Sequence, residues 1–537
     1  MDHAVAHGRP GLTGALLAAL PPLGFLVVFF LWPVAAIIRL GLLGDGVGAV
    51  LASADTWGLV GFTVGQAAAA TAVAVVAGLP VAFLLARTSL RGNGFIRAAV
   101  LVPFVLPTVV VGLAFRSLLP EGGVVAIVLA NAFFNVAVVA RSVAGVWSHV
   151  DRRAEDAARV LGASRLRTFL SVTLPVLRPA IGSAASVVFL FCATSFGVVL
   201  LLGGGEYSTL ETEIYLRTVQ LLDLPGAAAL SLLQVAAVFA VLVIGAVTRR
   251  RQAAARMRGT AETARRPVGG EWAVVAVAYA VVALLLVPIA ALVVRSLSTV
   301  DGWGLAGYRA LAGTGYRGSL QVSGWEAAEN SLRAATDATL LALVLGVLAS
   351  VALVSLARTK ARPGLVDALD TAFMLPLGVS AVTVGFGYLI TLDALPGDLR
   401  TSATLVPLAQ ALVVTPLVIR MLLPVLRSID DRLRQAAATL GASPWRVWRE
   451  IDIPLAGRSL LAAAAFGYVV ALGEFGATSF LARPDSATLP VVIGRLVARP
   501  GELNNQMAYA ACTLLMLVTI AVVALIERLR VASVGEF

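Results

Sequence analysis

The stretches Glu155–Pro175, EDAARVLGASRLRTFLSVTLP, and Arg434–Pro454, RQAAATLGASPWRVWREIDIP, carry one pattern twice. Gly162 corresponds to Gly441 and Pro175 to Pro454, both at a shift of 279 residues. The shift holds outward. Arg141 meets Arg420 upstream, while Phe196-Gly197 meets Phe475-Gly476 and Thr209-Leu210 meets Thr488-Leu489 downstream. A single Gly–Pro spacing would carry little weight. A shared shift over this length marks the duplication of a whole unit, and such a period has to be recognised before any fold is named.

The chain around the repeat is apolar. Its 537 residues are 59% hydrophobic and 13% charged, and the mean hydropathy is +0.92. A soluble domain carries about 25% charge, so this composition excludes a disordered chain and argues against a cytosolic enzyme. A bilayer core takes about 20 apolar residues per helix. Runs of that kind cover 15–40, 58–86, 98–118, 122–146, 179–202, 226–248, 272–295, 331–357, 366–392, 403–426, 458–482 and 506–527. The first run is too long for a removable signal peptide, lacks its cleavage site, and reads as an uncleaved membrane helix. The expected fold is therefore all-α, a polytopic membrane protein of about twelve helices in two tandem units.

The 41 basic residues outnumber the 30 acidic ones. Their distribution explains the excess without nucleic acid. Arg87, Arg91 and Arg97, then Arg152, Arg153, Arg159, Arg165 and Arg167, then Arg249, Arg250, Arg251, Arg256 and Arg258, occupy alternate gaps between runs. Arg358, Lys360 and Arg362, then Arg427, Arg432, Arg434, Arg446 and Arg449, continue the alternation. The other gaps hold acids such as Asp45, Asp55, Glu121, Glu206 and Glu213. Basic loops stay on the cytoplasmic side, so both termini are expected there. The polar stretch 249–271 reads as a cytoplasmic linker between a first unit, 1–248, and a second, 272–537.

The repeated segments, 151–175 and 430–454, lie in long cytoplasmic gaps. Ala- and Arg-rich sequence favours helix over Asp151–Leu161 and Asp430–Leu440. Ala154, Ala157, Ala158 and Leu161 fall at helical spacing, as do Leu433, Ala436, Ala437 and Leu440, giving a narrow stripe of small apolar side chains. Gly162 and Gly441 suit the left-handed residue that ends a helix. Ser164 and Ser443 suit the cap of the next, and Pro444 suits a first helical position. Pro175 and Pro454 mark entry to the following span. Each unit thus builds a short helix, a corner and a second helix. One reading is an amphipathic helix lying on lipid. A duplicated docking element for a cytoplasmic partner accounts better for the paired occurrence.

Several chemistries find no residues. A P-loop needs Gly-Lys-Ser/Thr, and the one lysine sits in Arg-Thr-Lys-Ala. His3, His7 and His149 are not spaced for a zinc protease, and Cys192 and Cys512 lie in apolar runs and read as core residues. No catalytic or metal-ligating set emerges, and the expectation is that the chain is not an enzyme.

The two segments resemble the "EAA" loop of ABC importer permeases: Glu-Ala-Ala, a Gly four residues after the last Ala, and a Pro further on. The resemblance covers essentially the whole chain as two fused type I permease units. It implies that Glu155, Asp156, Ala157 and Gly162, with Arg434, Ala436 and Gly441, form the coupling helices that dock on an ATP-hydrolysing subunit. It further implies a homodimeric ABC ATPase on the cytoplasmic face and an extracytoplasmic solute-binding protein. This chain would bind no cofactor, ATP being hydrolysed by the partner, and would be a multi-pass protein of the bacterial plasma (inner) membrane. The middle residue of the first motif is Asp156, and Arg434 replaces the acidic lead of the second. The family's Glu pairs with a basic patch on the ATPase, a contact expected to survive at Glu155.

The fused layout resembles the thiamine and ferric-iron importer permeases. Phe133-Phe134-Asn135, Leu202-Gly203-Gly204-Gly205, Thr209-Leu210-Glu211 and Gly473-Glu474-Phe475-Gly476 are echoes of the thiamine type. The resemblance points to thiamine, or a thiamine phosphate, as cargo, with ferric iron as alternative. From another class, an ion-gradient-driven secondary transporter also has internal repeats; it would not need duplicated docking helices. An ionisable residue within a span is a functional candidate. Glu474, in the outer part of the eleventh run, has Ser195 as its repeat counterpart. Glu474, Ser195 and Asn135 are candidates for the solute pathway. The competing reading is that Glu474 holds the bundle together through an arginine or helix-end amides, and that the other two are interhelical hydrogen bonders.

Overall fold

The computed structural model describes residues 12–43, 46–252, 264–299, 302–315, 318, 320–358, 363–391 and 402–531. Both termini, residues 253–263 of the expected linker, Lys360 and Arg362 lie outside the described residues. Ten of the described helices are long and apolar enough to cross a membrane, and two bent pairs bring the count to as many as twelve. The protein is all-α apart from one two-stranded ladder, Ser298–Thr299 with Gly302–Trp303, among the described residues. A chain in hydrocarbon must satisfy its backbone internally, and helices do so within one segment.

In chain order the spans are Gly14–Leu42 (span 1), Ala54–Arg87 (span 2), Asn93–Val105 with Thr108–Leu118 (span 3), Gly123–Trp147 (span 4), Arg165–Ala193 (span 5) and Leu224–Val241 (span 6). The second set is Glu271–Leu297 (span 7), Gly324–Arg358 (span 8), Gly364–Gly378 with Ala381–Thr391 (span 9), Leu405–Ser428 (span 10), Trp445–Gly473 (span 11) and Glu502–Leu525 (span 12).

The chain forms two compact units. One takes in the described residues of 45–311 and 496–516. There span 4 packs along span 2, span 5 packs on both, and span 7 lies against span 2. Gly78 makes the close approach possible: a Cβ at that position would stand 2.8 Å from Cβ of Val139. Small residues at helix contacts serve this purpose in membranes.

The other unit takes in the described residues of 1–44, 312–495 and 517–537. Span 10 packs along span 8, span 11 packs on both, and span 1 lies against span 8. Gly346 faces Val418, the repeat counterpart of Val139. A second pair of contacts keeps the same register. The Leu210 amide donates to the Thr63 hydroxyl at 3.1 Å, and the Leu489 amide to the Ser331 hydroxyl at 2.7 Å. The repeat therefore reaches into spans 2 and 8, at a shift of 268 residues (63 to 331, 78 to 346). The compact bodies do not follow the linear order of the chain, because span 1 packs with second-half spans and span 7 with first-half spans.

Four expected runs are corrected. The run 98–118 is broken and bent by 100°, and the run 366–392 by 93°. At the first break Leu106 and Pro107 are extended (ψ 137° and 142°), since a proline steers the preceding residue out of the helical region. At the second, Val379 is extended and the Ser380 hydroxyl accepts from the Thr383 amide at 3.1 Å, capping a new helix. The runs 179–202 and 458–482 end early, at Ala193 and Gly473, and the rest forms short helices Gly197–Leu202 and Thr478–Leu481. Hydropathy averages over such breaks because the apolar residues continue through them.

The contact at Gly78 yields a test. Gly78→Ala overfills the span 2–span 4 contact and destabilises by about 1–3 kcal/mol. Adding Val139→Ala recovers most of that loss. Thermal unfolding of the four variants of this cycle in detergent measures the recovery as a coupling between the two sites.

Candidate functional site

The two repeated segments fold alike. A short helix, Arg152–Val160, opens on Asp151, whose carboxylate accepts from the Arg153 amide at 2.8 Å. Its counterpart Asp431–Thr439 opens on Asp430, which accepts from Arg432 at 2.9 Å. Each helix ends in paired bonds: Gly162 to Arg159 and Ala163 to Ala158, then Gly441 to Ala438 and Ala442 to Ala437, all at 3.0 Å. This is the Schellman closure, and it requires a left-handed residue after the helix. Gly162 has φ +88° and Gly441 φ +82°. Space is open around both, so backbone conformation alone demands glycine there. Ser164 and Ser443 accept from the amides of Arg167 and Arg446 at 3.3 Å, as their capping role predicts.

The second helix of each segment does not stop at the proline. It runs from Arg165, or from Trp445, through a π-turn into the span. The Leu174 amide bonds the Phe169 carbonyl, five residues back, and Ile453 bonds Trp448 likewise. The wider turn accommodates Pro175 and Pro454, which lack an N–H and crowd the preceding turn. The corner is therefore joined to its span by continuous helix, where the sequence suggested a boundary.

The short helices present an unusual face. Neither buries a single residue. Val160 and Leu161 are each 87% exposed and Leu440 is 88% exposed. Ala157 and Ala436 are exposed beside them. The charged position that heads each motif points the other way. Arg87, the last residue of span 2, is only 4% exposed and places Nη2 at 2.8 Å from Oε1 of Glu155. The Thr173 hydroxyl donates to the same oxygen at 2.8 Å. In the second unit Nε of Arg434 donates to Oδ1 of Asp452 at 2.7 Å, and Nη1 to Oδ1 of Asp431 at 2.9 Å. Nη1 and Nη2 also reach the carbonyls of Ile429 and Leu426. A surface helix normally shows polar groups outward and apolar groups inward. Here Glu155 and Arg434 turn toward the bundle, while large apolar side chains stand exposed beside charged ones such as Asp156, Arg159 and Arg432.

Asp156 is exposed. Arg87, Thr173 and Asp452 were not singled out from the sequence. A signal existed in the aligned segments: Thr173 stands in the place of Asp452 as Glu155 stands in the place of Arg434.

The pathway candidates are engaged inside the units. Ser195 donates to Asn131 Oδ1 at 2.8 Å, and Asn135 donates to the Asn131 carbonyl at 2.8 Å. Gln66 completes this cluster, accepting from Asn131 at 2.9 Å and donating to the Cys192 carbonyl at 2.7 Å. Glu474 is buried just past the end of span 11, not within it. Its carboxylate accepts from the amides of Ala477 at 2.8 Å and Thr478 at 3.0 Å, and from the Thr478 hydroxyl. These are the helix-end amides of the competing reading.

Spans in two repeat units, each with an outward-facing loop helix, define a membrane permease of tandem construction. The chain belongs to the family of binding-protein-dependent transport system inner membrane components, which residues 74–258 and 342–534 each match. As a member it is a multi-pass transport permease subunit rather than an enzyme, and it works with a solute-binding protein and an ATPase. It is 27% identical, over 95% of both chains, to the thiamine transport system permease protein ThiP of Brucella abortus. It is 26% identical to ThiP of Escherichia coli over 76% of this chain and 73% of that one. A putative 2-aminoethylphosphonate transport system permease protein, PhnV of Salmonella typhimurium, is 28% identical over 40% of this chain and 77% of that protein.

Two substitutions test the local geometry. Gly162→Ala forces a side chain into the left-handed region and costs about 1–2 kcal/mol, read as faster proteolysis of the loop with the spans still protected. Glu474→Gln turns one acceptor into a donor facing donors and costs about 1–3 kcal/mol, read as a lower unfolding midpoint in detergent.

Proposed function

We propose that this chain is the permease of an ATP-driven importer for thiamine or a thiamine phosphate, with both coupling segments and both termini on the cytoplasmic face. The observation that carries this reading is the large apolar side chains left exposed at the end of both short helices. Apolar side chains as exposed as Val160, Leu161 and Leu440 signal an interaction surface, and the same device occurs at both places in the repeat. A homodimeric ATPase, separate from this polypeptide, offers two equivalent clefts for two such helices. Ala157, Gly162, Ala436 and Gly441 form the docking corner on this reading, and Asp156 supplies an exposed acid beside it. Glu155 and Arg434 hold the corner from beneath.

The mechanism follows from the continuous helix. ATP binding closes the ATPase and displaces the corners. Each corner moves its span, because no break separates them, and the units open outward toward the loaded binding protein. Hydrolysis reverses the motion. Similarity to the thiamine permeases over nearly the whole chain favours thiamine over iron. The hydrogen bonds of Glu474, Ser195 and Asn135 favour the structural role, so no ligand contact is assigned to them.

Affinity purification of the tagged chain retains an ATPase, and proteoliposomes holding the complex and its binding protein accumulate thiamine only with ATP. Uptake of ferric iron instead would replace the cargo, and uptake driven by a proton or sodium gradient without ATPase would overturn the reading. Gly162→Pro or Gly441→Pro inserts normally and loses the ATPase.

A further inference from the structure

The ion pairs beneath the two coupling helices are not copies of each other. In the first unit the cation comes from the span and the anion from the short helix: Arg87 of span 2 meets Glu155. In the second the cation sits on the short helix and the anion at the start of span 11: Arg434 meets Asp452 at 2.6 Å. Compared position by position, Glu155 has become Arg434 and Thr173 has become Asp452. The register of the Gly78 and Gly346 contacts places Ser355 where Arg87 stands, and Ser355 is buried. Three substitutions thus move together. A guanidinium–carboxylate contact remains at the position of Glu155 and Arg434, while its partner moves from span 2 to span 11.

The surrounding bonds differ in the same sense. Arg87 also donates to the Val150 carbonyl at 2.9 Å and receives Arg152 on its own carbonyl at 3.0 Å. The end of the linker reinforces this side. The Ser89 amide donates to the Arg265 carbonyl at 3.0 Å, and Arg165, just past the Gly162 corner, donates to the Val268 carbonyl at 2.9 Å. The second helix has a different brace, Arg358 at 3.2 Å from Asp431.

A lone buried charge is costly, so replacing Glu155 by arginine opposite Arg87 would leave two cations together. The second site avoids this because Ser355 and Asp452 stand where Arg87 and Thr173 stand in the first.

We propose that Arg87–Glu155 and Arg434–Asp452 are equivalent positioning pairs that lock each coupling helix to its own bundle, the first to the end of span 2 and the second to the start of span 11. The ATPase's displacement enters the first unit through span 2 as well as span 5. In the second it enters through span 11 by Arg434–Asp452 and through the end of span 8 by Arg358–Asp431. This rests on the reading of the short helices as ATPase-docking elements. Glu155 then acts within the permease and is not a contact to the ATPase.

The test transplants one set into the other site of the full-length chain, in complex with its ATPase. The readouts are ATPase retained on the tagged permease and acceleration of ATP hydrolysis over the isolated ATPase. Neither depends on the cargo. Arg87→Ser or Glu155→Gln keeps the ATPase but lowers the acceleration about tenfold, because one buried charge loses its partner. The triple variant Arg87→Ser, Glu155→Arg, Thr173→Asp returns it to within about twofold of the original. The reverse set, Ser355→Arg, Arg434→Glu, Asp452→Thr, provides a second series should a single variant fail to fold. The proposal is overturned if the single variants keep full acceleration, or if both triples are as defective as the singles while inserted and ATPase-bound. It is also overturned if Glu155→Gln alone releases the ATPase and Arg87→Ser does not, which would make Glu155 a direct contact. Absence of any ATPase on the unaltered chain would instead refute the functional reading itself.

Discussion

Beneath each short loop helix a guanidinium meets a carboxylate, and the exposed apolar face above depends on that meeting. A nine-residue helix such as Arg152–Val160 is marginal in water by itself. It buries no side chain that would hold it in place. The caps at Asp151 and Asp430 and the glycine closures at Gly162 and Gly441 define its ends, and the ion pair fixes its roll. With Glu155 and Arg434 turned inward, Val160, Leu161 and Leu440 are left exposed. An exposed apolar patch is thereby obtained from a segment whose composition alone reads as polar.

The same segment is joined to its span without a break. The π-turns ahead of Pro175 and Pro454 let helix continue from corner to span. Gly78 against Val139 and Gly346 against Val418 bring neighbouring helices into close contact. Bends occur elsewhere, in spans 3 and 9.

Much of this was legible in the residues. Lipid requires long apolar runs, so the spans announce themselves. The left-handed turn requires glycine, so the corner does too. Other features were not legible for stated reasons. The breaks at Leu106-Pro107 and Val379-Ser380 lie within apolar sequence, and hydropathy has no term for backbone direction. The partner of Glu155 is Arg87, more than sixty residues away in the chain, and the small shift in register between spans 2 and 8 concealed its replacement by Ser355. Glu474 looked like a charge within a span because the end of span 11 at Gly473 could not be read from composition.

The amino-acid sequence by itself determined the membrane-spanning class, the duplication and the positions of the two corners, because each rests on local chemistry: apolar length, a fixed repeat and a glycine conformation. Only the tertiary structure decided which spans share a compact body, which side of each loop helix is turned outward, and which charges meet beneath it. Those outcomes depend on packing between segments distant in the chain, and on the cost of a buried charge that finds its partner only once the helices are assembled.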